Sequence, residues 1–325
     1  MKVLIVTQYF WPESFGITAL ARSMQERGVA VTVLTGQPNY PGGVVFPGYA
    51  AWRTGRETFS GIEIMRVPLA PRGLKSGLRL AVNYLSFLVS ASLLGPWMLR
   101  GRQFDAVFVY APSPLLQALP AVLLSWWKRA PLVVWVQDLW PESLSATGFV
   151  RNKRILGLVG SVVRYIYRRT DLILIPSEAF REPVQRLTPS KGRIAYYPNA
   201  FVEEPVGAST PSPALSAMVG EIAAASSVVF AGNLGTAQSL DTILDAAERV
   251  AARGQPIRFF IVGSGSLSGW LAEEVARRGL TNVLLPGRFP SSAMTSIYAS
   301  ATALLVSLRD EPIFAQTIPS KVQGY

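Results

Sequence analysis

Residues 228–247 hold the pattern that most constrains the fold: a strand, a glycine-rich turn and a helix in direct succession. The run 228–230 (VVF) is β-branched and aromatic, which is typical of a buried parallel strand. Gly232 and Gly235 then open a turn, and apolar residues follow at helical spacing over 240–247. Free backbone N–H groups and the helix dipole make such a turn a candidate anion site, although an ordinary β–α turn has the same pattern.

The same alternation begins at the N-terminus. Residues 3–6 predict a strand, a helix follows and ends near Gly28, and residues 29–34 predict a second strand. This βαβ opening predicts a doubly wound sheet. The first turn lacks the G-x-G-x-x-G fingerprint, which argues against an NAD or FAD domain, and Gly16 alone stands near the helix start, where backbone can meet a phosphate. Further strands are predicted at 59–67, 105–110, 131–136, 171–176, 194–197, 257–262, 283–285 and 303–307, with a loop over 309–320.

The length of 325 residues fits two domains. A stretch rich in proline and glycine over 203–213 predicts the linker between them. We therefore predict an N-terminal domain over 1–202 and a C-terminal domain over 203–325, the second opening with the strand at 228–230. Too few strands and helices remain after 303–307 to complete a Rossmann-like half, so we expect the second domain to be truncated at its C-terminal end.

The composition excludes several kinds of site. The chain has no cysteine and no histidine, which rules out disulfides, thiolate or imidazole metal sites, a cysteine nucleophile and a histidine base. A net charge of +11 favours anionic partners: phosphorylated small molecules, a lipid surface or nucleic acid. Nucleic acid is not expected, because the basic residues are not gathered in one run and no nucleic-acid-binding motif is present.

The most apolar segment covers residues 80–99 and has no charged side chain, while Arg79 and Arg100 flank it. Its length allows a bilayer span, but internal serine, asparagine, glycine and proline residues favour a buried or an interfacial helix. A basic zone over 151–169 is either a solvated helix face or a contact for lipid phosphates. Both zones suit docking on an anionic membrane surface. We expect a cytoplasmic protein that is peripheral on the inner face of the cytoplasmic membrane.

Two carboxylates follow the predicted strand 131–136. They are Asp138 and Glu142, and they are the first acids to examine because α/β sheets bind their ligands at the carboxyl ends of parallel strands. Capping of the next helix is the alternative role, and it suits Glu142 better than Asp138.

A set of short motifs occurs in a fixed order along the chain. They are YFWPE at 9–13 with Gly16, NYPGG at 39–43, VQDLWPES at 136–143, YPN at 197–199, FAGNLG at 230–235, IVGSG at 261–265 and IPSKVQ at 318–323. In this order they resemble the retaining family-4 glycosyltransferases with the GT-B fold, and most of all the colanic-acid and O-antigen group that includes L-fucosamine transferases. The resemblance covers essentially the whole chain. It implies an α/β protein with two Rossmann-like domains that face a cleft.

The resemblance also implies that a nucleotide-sugar donor binds mainly to the second domain and the acceptor to the first, with no cofactor and no metal. The donor-binding residues it implies are Gly16, Gly232, Asn233, Gly235, Gly263, Gly265, Arg288, Phe289, Ser320 and Lys321. Those on the acceptor side are Asn39, Tyr40, Trp140 and Glu142. By the same resemblance Asp138 lies near the reacting sugar, and it is our candidate catalytic residue.

The sequence departs from the family pattern where charged residues are expected. Asn233 and Gln238 occupy places where the family often has an arginine and a lysine, so Lys321 is our first choice for the phosphate charge. Of the glutamate pair common in the family, Glu311 is a candidate for the first, while Gly324 takes the place of the second. A histidine that is common after the strand 131–136 is absent, and Asp138 is the nearest candidate.

These features predict a retaining, metal-independent glycosyltransferase. It would move a sugar from a nucleotide-sugar donor to a lipid-linked glycan acceptor in surface polysaccharide, lipopolysaccharide or O-antigen biosynthesis. One alternative is a GT-B nucleotide-sugar epimerase, which acceptor-dependent transfer would distinguish. Another is a non-catalytic, membrane-docked scaffold, which the missing charged residues favour. A dinucleotide oxidoreductase ranks third because its fingerprint is absent.

Overall fold

The computed structural model describes residues 1–73, 76–146, 150, 152–188, 193–199 and 212–325. The chain divides into two compact units, Met1–Ala200 and Phe201–Tyr325. Most of the predicted linker, from 203 to 211, lies outside the described residues.

The first unit is built on a sheet of eight strands in the order β3-β4-β2-β1-β5-β6-β7-β8. The strands are β1 Lys2–Val6, β2 Ala30–Gly36, β3 Gly55–Phe59, β4 Ile62–Val67, β5 Ala106–Ala111, β6 Leu132–Val136, β7 Leu172–Ile175 and β8 Ile194–Tyr196. The helices are α1 Gly16–Glu26, α2 Gly77–Met98, α3 Ala118–Lys128, α4 Glu142–Ala146, α5 Lys153–Arg169 and α6 Arg181–Leu187. Strand β3 runs antiparallel to β4, and the other neighbours are parallel. This is the doubly wound α/β sheet that the N-terminal pattern predicts.

Both faces of this sheet are covered, which explains the near-continuous apolar runs of its strands. On one face, Val3 and Ile5 pack with Ile17 and Ala21 of α1. On the other face, α2 approaches β2 closely at Gly95, where a β-carbon would lie 3.0 Å from Leu34 Cδ2. Because successive side chains of a strand point to opposite faces, a single apolar run supplies both cores.

The apolar segment at 80–99 forms the long helix α2, which is buried on one side only. Its buried residues recur about every fourth position: Asn83, Phe87, Ala91, Gly95 and Met98. The opposite side exposes an apolar stripe, which consists of Leu78, Val82, Leu85, Val89, Leu93 and Trp97. A wholly buried helix is therefore the wrong interpretation, because the sheet covers only one side of α2.

Among the described helices, α2 has the length and apolar character needed to cross a bilayer. Only 17% of its most apolar window is buried within the protein. Length and composition alone do not distinguish a spanning helix from one that lies on a surface.

The second unit has a four-stranded parallel sheet in the order β11-β10-β9-β12. Its strands are β9 Ser226–Asn233, β10 Ile257–Ser264, β11 Val283–Gly287 and β12 Ala303–Leu304. Its helices are α7 Pro213–Ala223, α8 Leu240–Ala252, α9 Ser268–Arg277, α10 Met294–Ser300, α11 Pro312–Ala315 and α12 Ser320–Gly324. Phe230 and Ile261 pack toward α8 and α9, while Val229 and Phe260 pack with Ile222 and Ile297 on the other face. The strand at 228–230 is thus confirmed as a buried parallel strand.

Three local predictions for the second unit are wrong. Helix α7 precedes β9, so the unit does not open with that strand. Its start signal is present in the sequence, because Ser212 accepts a hydrogen bond from the Leu215 N–H at 3.2 Å and Pro213 is the first helical residue; the proline was assigned to the linker. The predicted strand 303–307 is reduced to β12, and the predicted loop 309–320 contains α11, where Pro312 again begins the helix.

Candidate functional site

Two glycine turns pack against each other at the carboxyl edge of the second sheet. Strands β9 and β10 are parallel and in register, so that Gly263 pairs with Gly232 and Ser264 with Asn233. Gly263 has a φ of +144°, and a β-carbon there would overlap the Gly232 carbonyl. Only glycine fits this position, because any side chain would force the two turns apart.

The same two turns meet again one step further along. The Leu234 N–H donates to the Ser264 carbonyl at 3.0 Å, and the Leu267 N–H donates to the Leu234 carbonyl at 2.9 Å. The side chain of Asn233 lies between the glycines: a β-carbon on Gly235 would be 2.8 Å from its Nδ2, and one on Gly265 would be 2.7 Å from its Oδ1. The structure therefore brings five of the predicted donor-binding residues into one compact edge.

Lys321 of α12 lies directly on this edge. Its Cε would be 2.5 Å from a β-carbon on Gly232, whose φ is +145°. Its Nζ is 4.4 Å from the centre of the Phe230 ring and donates a hydrogen bond to Gln238. Among the described residues no ion pair includes Lys321, and burial lowers the pKa of its ammonium group to about 8. A cation without an acidic partner is thus held over the glycine turn, beside the residue that replaces the family's usual lysine.

The remaining predicted donor residues of the second unit are placed differently. Arg288 follows β11 at the same edge of the sheet and is exposed. Phe289 is partly buried and packs, as do Tyr298 and Tyr325, against the buried cluster that contains Val229 and Phe260. The backbone of Ser320 begins α12, but its side chain lies outside the described residues.

In the first unit, Gly16 is the first residue of α1. The preceding Phe15 has no polar side chain that could cap the helix, and the first turn has no acidic residue. A β-carbon built on Gly16 would have no described atom within 4 Å. The first backbone N–H groups of α1 are therefore uncapped and uncrowded, and the phosphate contact at Gly16 stays a prediction.

Glu13 organises the loops at the carboxyl edge of the first sheet. Its Oε1 accepts hydrogen bonds from the Asn39 N–H at 2.8 Å and from the Tyr40 N–H at 2.7 Å, and its Oε2 accepts one from the Phe10 N–H at 3.3 Å. Only 3% of the residue is exposed, and burial raises the pKa of the carboxyl to about 7 against the opposing effect of these three donors. Glu13 thus ties the loop after β1 to the loop after β2.

The predicted acceptor-side residues Asn39 and Tyr40 belong to the second of these loops. Asn39 is fully buried: its Nδ2 donates to the Gln37 carbonyl at 3.0 Å, and its Oδ1 accepts from the Arg72 N–H at 3.1 Å. It therefore holds the loop from inside. The Tyr40 ring is partly exposed, lies 5.7 Å from the Tyr9 ring and carries the Arg72 guanidinium 5.0 Å above its face.

Asp138 follows β6 at the same edge. Its carboxylate accepts a hydrogen bond from Trp140 Nε1 at 3.2 Å, and polar contacts with Ser113, Ser143 and the Leu139 backbone also favour its ionised form. Burial raises the pKa of Asp138 to about 6, although these contacts act in the opposite direction. The carboxyl therefore titrates close to neutral pH, which suits a group that orients or exchanges a proton.

The other two predicted acceptor-side residues flank Asp138. Trp140 is 5% exposed, so its main visible role is to hold the Asp138 carboxylate through its ring N–H. Glu142 begins the short helix α4 and is exposed.

Tyr84 and Arg72 complete the first-unit edge and were not among the sequence candidates. Tyr84 lies on α2. Burial raises its pKa to about 12, Arg72 opposes that rise and Asp138 adds to it. Glu13, Arg72, Tyr84 and Asp138 come from four separate segments of the chain, so no local sequence pattern marks them as one site. The signals in the sequence are weak: a lone acid inside the YFWPE motif for Glu13, and a basic residue in a proline–glycine loop before an apolar helix for Arg72.

Family comparison assigns both halves of the chain. The model of the glycosyl transferase 4-like domain matches residues 16–200, and that of the glycosyl transferases group 1 matches residues 225–322. The chain belongs to the family-4-like glycosyltransferases. A relative from Escherichia coli (strain K12) is named as the colanic acid biosynthesis glycosyl transferase WcaI. This chain is 25% identical to it over 293 residues, and the alignment covers 87% of this chain and 70% of the relative.

Solved structures share the fold of the glycosyltransferase at low sequence identity. A sucrose-phosphate synthase from Thermosynechococcus elongatus has a TM-score of 0.67 at 12% identity, covering 94% of this chain and 74% of its own. The Anabaena protein Alr3699/HepE in complex with UDP and glucose has a TM-score of 0.60 at 14% identity, covering 95% and 74%. An alpha,alpha-trehalose-phosphate synthase from Burkholderia xenovorans has a TM-score of 0.65 at 12% identity, covering 94% and 79%. These likenesses confirm the predicted GT-B fold.

Proposed function

We propose that this glycosyltransferase moves a sugar from a nucleotide-sugar donor to a lipid-linked glycan acceptor, with retention at the anomeric carbon. The observation that carries the proposal is the Lys321 ammonium, partly buried over the Gly232 turn with no acidic partner among the described residues. A buried cation without a counterion is costly unless an anion joins it. A nucleoside diphosphate supplies such an anion.

The chemistry needs a stabilised leaving group. When the bond between the anomeric carbon and the donor phosphate oxygen breaks, negative charge collects on the nucleoside diphosphate. Backbone N–H groups and a fixed cation stabilise that charge, and Lys321 supplies the cation here. The open N-terminus of α1 at Gly16 is a second place where a phosphate can bind.

Retention can be achieved without a histidine. In our proposal the new bond from the anomeric carbon to the acceptor oxygen forms on the face that the diphosphate leaves, and the acceptor proton passes to the departing phosphate. Asp138 orients the donor sugar or the acceptor hydroxyl, since its carboxylate is fixed by Trp140 and lies at the carboxyl edge of the sheet. No metal ligand is required in this scheme.

The pathway proposal rests on the relatives. The relative WcaI is named for colanic acid biosynthesis, and HepE was solved with UDP and glucose. We infer a role in surface polysaccharide, lipopolysaccharide or O-antigen biosynthesis and a nucleotide-sugar donor. The L-fucosamine-transferase group is the subgroup that we propose from the motif resemblance.

We further propose that the protein is peripheral on the inner face of the cytoplasmic membrane. Helices α2, α3 and α5 pack side by side. Their exposed apolar residues include the stripe on α2 together with Trp126 and Trp127 of α3 and Leu158 of α5. Exposed basic residues accompany them on α5: Lys153, Arg154, Arg164, Arg168 and Arg169. Apolar side chains beside cations suit an anionic bilayer surface.

A vesicle flotation experiment tests the membrane proposal. The protein should float with vesicles of phosphatidylglycerol and phosphatidylcholine, and less so as salt is raised, because part of the attraction is electrostatic. Replacing Leu85 and Leu93 by serine should reduce flotation. Equal recovery with purely neutral vesicles, or no recovery at all, would contradict the proposal.

Donor binding is tested with a thermal-shift panel of UDP-, GDP- and dTDP-sugars. One of them should stabilise the protein. Lys321→Met should lower the affinity for that nucleotide-sugar about tenfold or more, because a charge-assisted phosphate contact is lost. Binding to the wild type should also decline as the pH rises through about 8, where the Lys321 ammonium loses its proton, and the variant should lack that decline. Unchanged affinity in Lys321→Met would remove the lysine from the donor site.

A non-catalytic scaffold is the second candidate, because Asn233 and Gln238 replace charged residues usual in the family. Transfer or hydrolysis of the stabilising donor by the purified protein would exclude it. A protein that binds a nucleotide-sugar but neither transfers nor hydrolyses it would favour the scaffold.

A further inference from the structure

Arg72 occupies a fixed position at the carboxyl edge of the first sheet. Its backbone N–H donates to Asn39 Oδ1 at 3.1 Å, and the next residue, Gly73, donates to the Gly43 carbonyl at 2.9 Å. Two residues earlier, the Ala70 carbonyl accepts a hydrogen bond from Asn83 Nδ2 at 2.6 Å. The segment is therefore held between the loop after β2 and the helix α2, which leaves the Arg72 side chain little freedom to move away from the edge.

The charge of Arg72 has no acidic partner among the ion pairs of the described residues, and the same holds for Arg79. The Arg72 guanidinium lies 5.0 Å above the Tyr40 ring. Arg79 packs on Gly73, where a β-carbon would lie 2.9 Å from its Cδ and 3.5 Å from its Nη1. Two guanidinium groups without acidic partners thus belong to one small region of the structure, Arg72 directly before Gly73 and Arg79 packed on Gly73, and both charges suit a doubly charged anion.

Two phenols adjoin Arg72. Tyr84 lies on the first part of α2 next to Asn83, whose Oδ1 accepts a hydrogen bond from the Tyr9 hydroxyl at 3.5 Å. Arg72 is close enough to act on the pKa of both phenols, in each case against the larger effect of burial. Asp138 follows β6 at the carboxyl edge of the same sheet, so this group of side chains shares an edge with the candidate catalytic residue.

The apolar stripe of α2 begins at the same end of the helix. Leu78 is 76% exposed and Leu85 is 53% exposed, on the same helix as Arg79 and Tyr84. A free phosphate or a nucleotide has no hydrocarbon chain to pack on this stripe. A diphosphate with a hydrocarbon chain would contact the cations with its phosphates and the stripe with its chain.

We propose that Arg72, Arg79 and Tyr84 bind the diphosphate of a lipid-linked acceptor, with the lipid chain along the α2 stripe. This assignment rests on the proposed function, since it names the acceptor class of that reaction. The two arginines hold the diphosphate by bidentate hydrogen bonds, and the Tyr84 hydroxyl donates a further one. The sugar that the diphosphate carries then points toward Asp138.

Calorimetric titration with farnesyl diphosphate tests the site, with inorganic diphosphate and farnesol as the two halves of that probe. Farnesyl diphosphate should bind most tightly. Arg72→Gln and Arg79→Gln should each weaken it about tenfold or more, as expected for a lost charge-assisted contact. Arg79 is exposed, so its variant tests the site even where a change at Arg72 disturbs the loop. Arg22→Gln, an exposed site on the opposite face of the sheet, is the matched control and should leave affinity unchanged.

Two further variants separate this site from the donor site. Leu85→Ser should weaken the binding of farnesyl diphosphate but not that of inorganic diphosphate. Lys321→Met should leave the binding of both unchanged and should weaken the binding of the nucleotide-sugar. Farnesyl diphosphate affinity that is the same in Arg72→Gln, Arg79→Gln and the control would overturn the assignment. Equal binding of inorganic and farnesyl diphosphate would overturn the lipid part of it. A wild-type protein that binds farnesyl diphosphate but no nucleotide-sugar would support the diphosphate site and would count against the proposed transfer reaction instead.

Discussion

The carboxyl edge of the second sheet presents mainly backbone groups, whereas that of the first sheet presents mainly side chains. In the second unit the edge is made of backbone: Gly232 and Gly263 let two turns touch, and a single cation, Lys321, lies over them. In the first unit the edge is made of side chains, with Glu13 buried and Asp138 half-buried among tyrosines, tryptophan and hydrogen-bond donors. A backbone site presents N–H groups to a phosphate, whereas a side-chain site can discriminate and orient hydroxyl groups.

This contrast predicts that the two edges fail in different ways when they are changed. The second-unit edge should be sensitive to added volume, because a β-carbon has no room there. The first-unit edge should be sensitive to a change of charge, because each carboxylate is fixed by donors against the cost of its burial. The three variants below test this difference, in order of decreasing effect.

The largest effect is expected from Gly263→Ala. The new methyl group would overlap the Gly232 carbonyl at a φ of +144°, so we expect a loss of about 3 kcal/mol or more in the free energy of unfolding. Urea denaturation of the protein measures it. Gly269→Ala is the matched control: Gly269 lies within α9 with no described atom near its β-carbon, so alanine there should stabilise by up to about 1 kcal/mol. Equal effects of the two substitutions would break the distinction between a packed turn and a helix surface.

Asp138→Asn is expected to leave donor affinity intact and to lower turnover by about a hundredfold, since a positioned carboxylate is lost. The pKa of Asp138 is raised to about 6, so wild-type turnover should fall as the pH drops through 6 and the carboxylate is protonated. The variant should lack this acid limb. Glu26→Gln, which changes an exposed acid at the end of α1, should change neither quantity. Full turnover in Asp138→Asn would remove Asp138 from the reaction.

A smaller effect, on stability rather than turnover, is expected from Glu13→Gln. Burial raises the pKa of Glu13 from 4.5 to about 7, so the folded protein binds more protons than the unfolded chain within that window. The wild type should therefore lose stability as the pH rises from about 5 to 7, by about 2 kcal/mol at most. The variant should lack this loss, and urea denaturation at both pH values measures the difference. A parallel pH dependence in both proteins would show that the three N–H donors to the carboxylate offset its burial.

Much of the fold follows from local patterns. The buried strand at 228–230 and the βαβ opening were predicted correctly because short apolar runs bounded by glycine or polar residues have few other structures available. Helix α7 was missed because Pro213 suits both a linker and a first helical turn. The one-sided burial of α2 could not be predicted either, since its sequence is apolar on every side and only its neighbours decide which residues are covered.

The candidate site residues also divide into those that a local pattern marks and those that only tertiary contacts bring together. The glycines at 232, 235, 263 and 265 could be proposed from the sequence because each turn is a continuous piece of it, and the structure brings the two turns together. Glu13, Arg72 and Tyr84 were missed because their partners are distant in the chain: Glu13 bonds to a residue 26 positions away, and the Arg72 backbone bonds to one 33 positions away. Such contacts depend on the strand order, which no single segment encodes.

The sequence by itself determined the alternation of strands and helices, the glycine turns and the absence of cysteine and histidine chemistry, because propensity, periodicity and composition are properties of neighbouring residues or of the whole list. The tertiary structure alone decided which charges are paired and which are not. Lys321 and Arg72 are two of many cations in the sequence, and only folding placed each of them beside an aromatic ring and outside the ion pairs of the described residues.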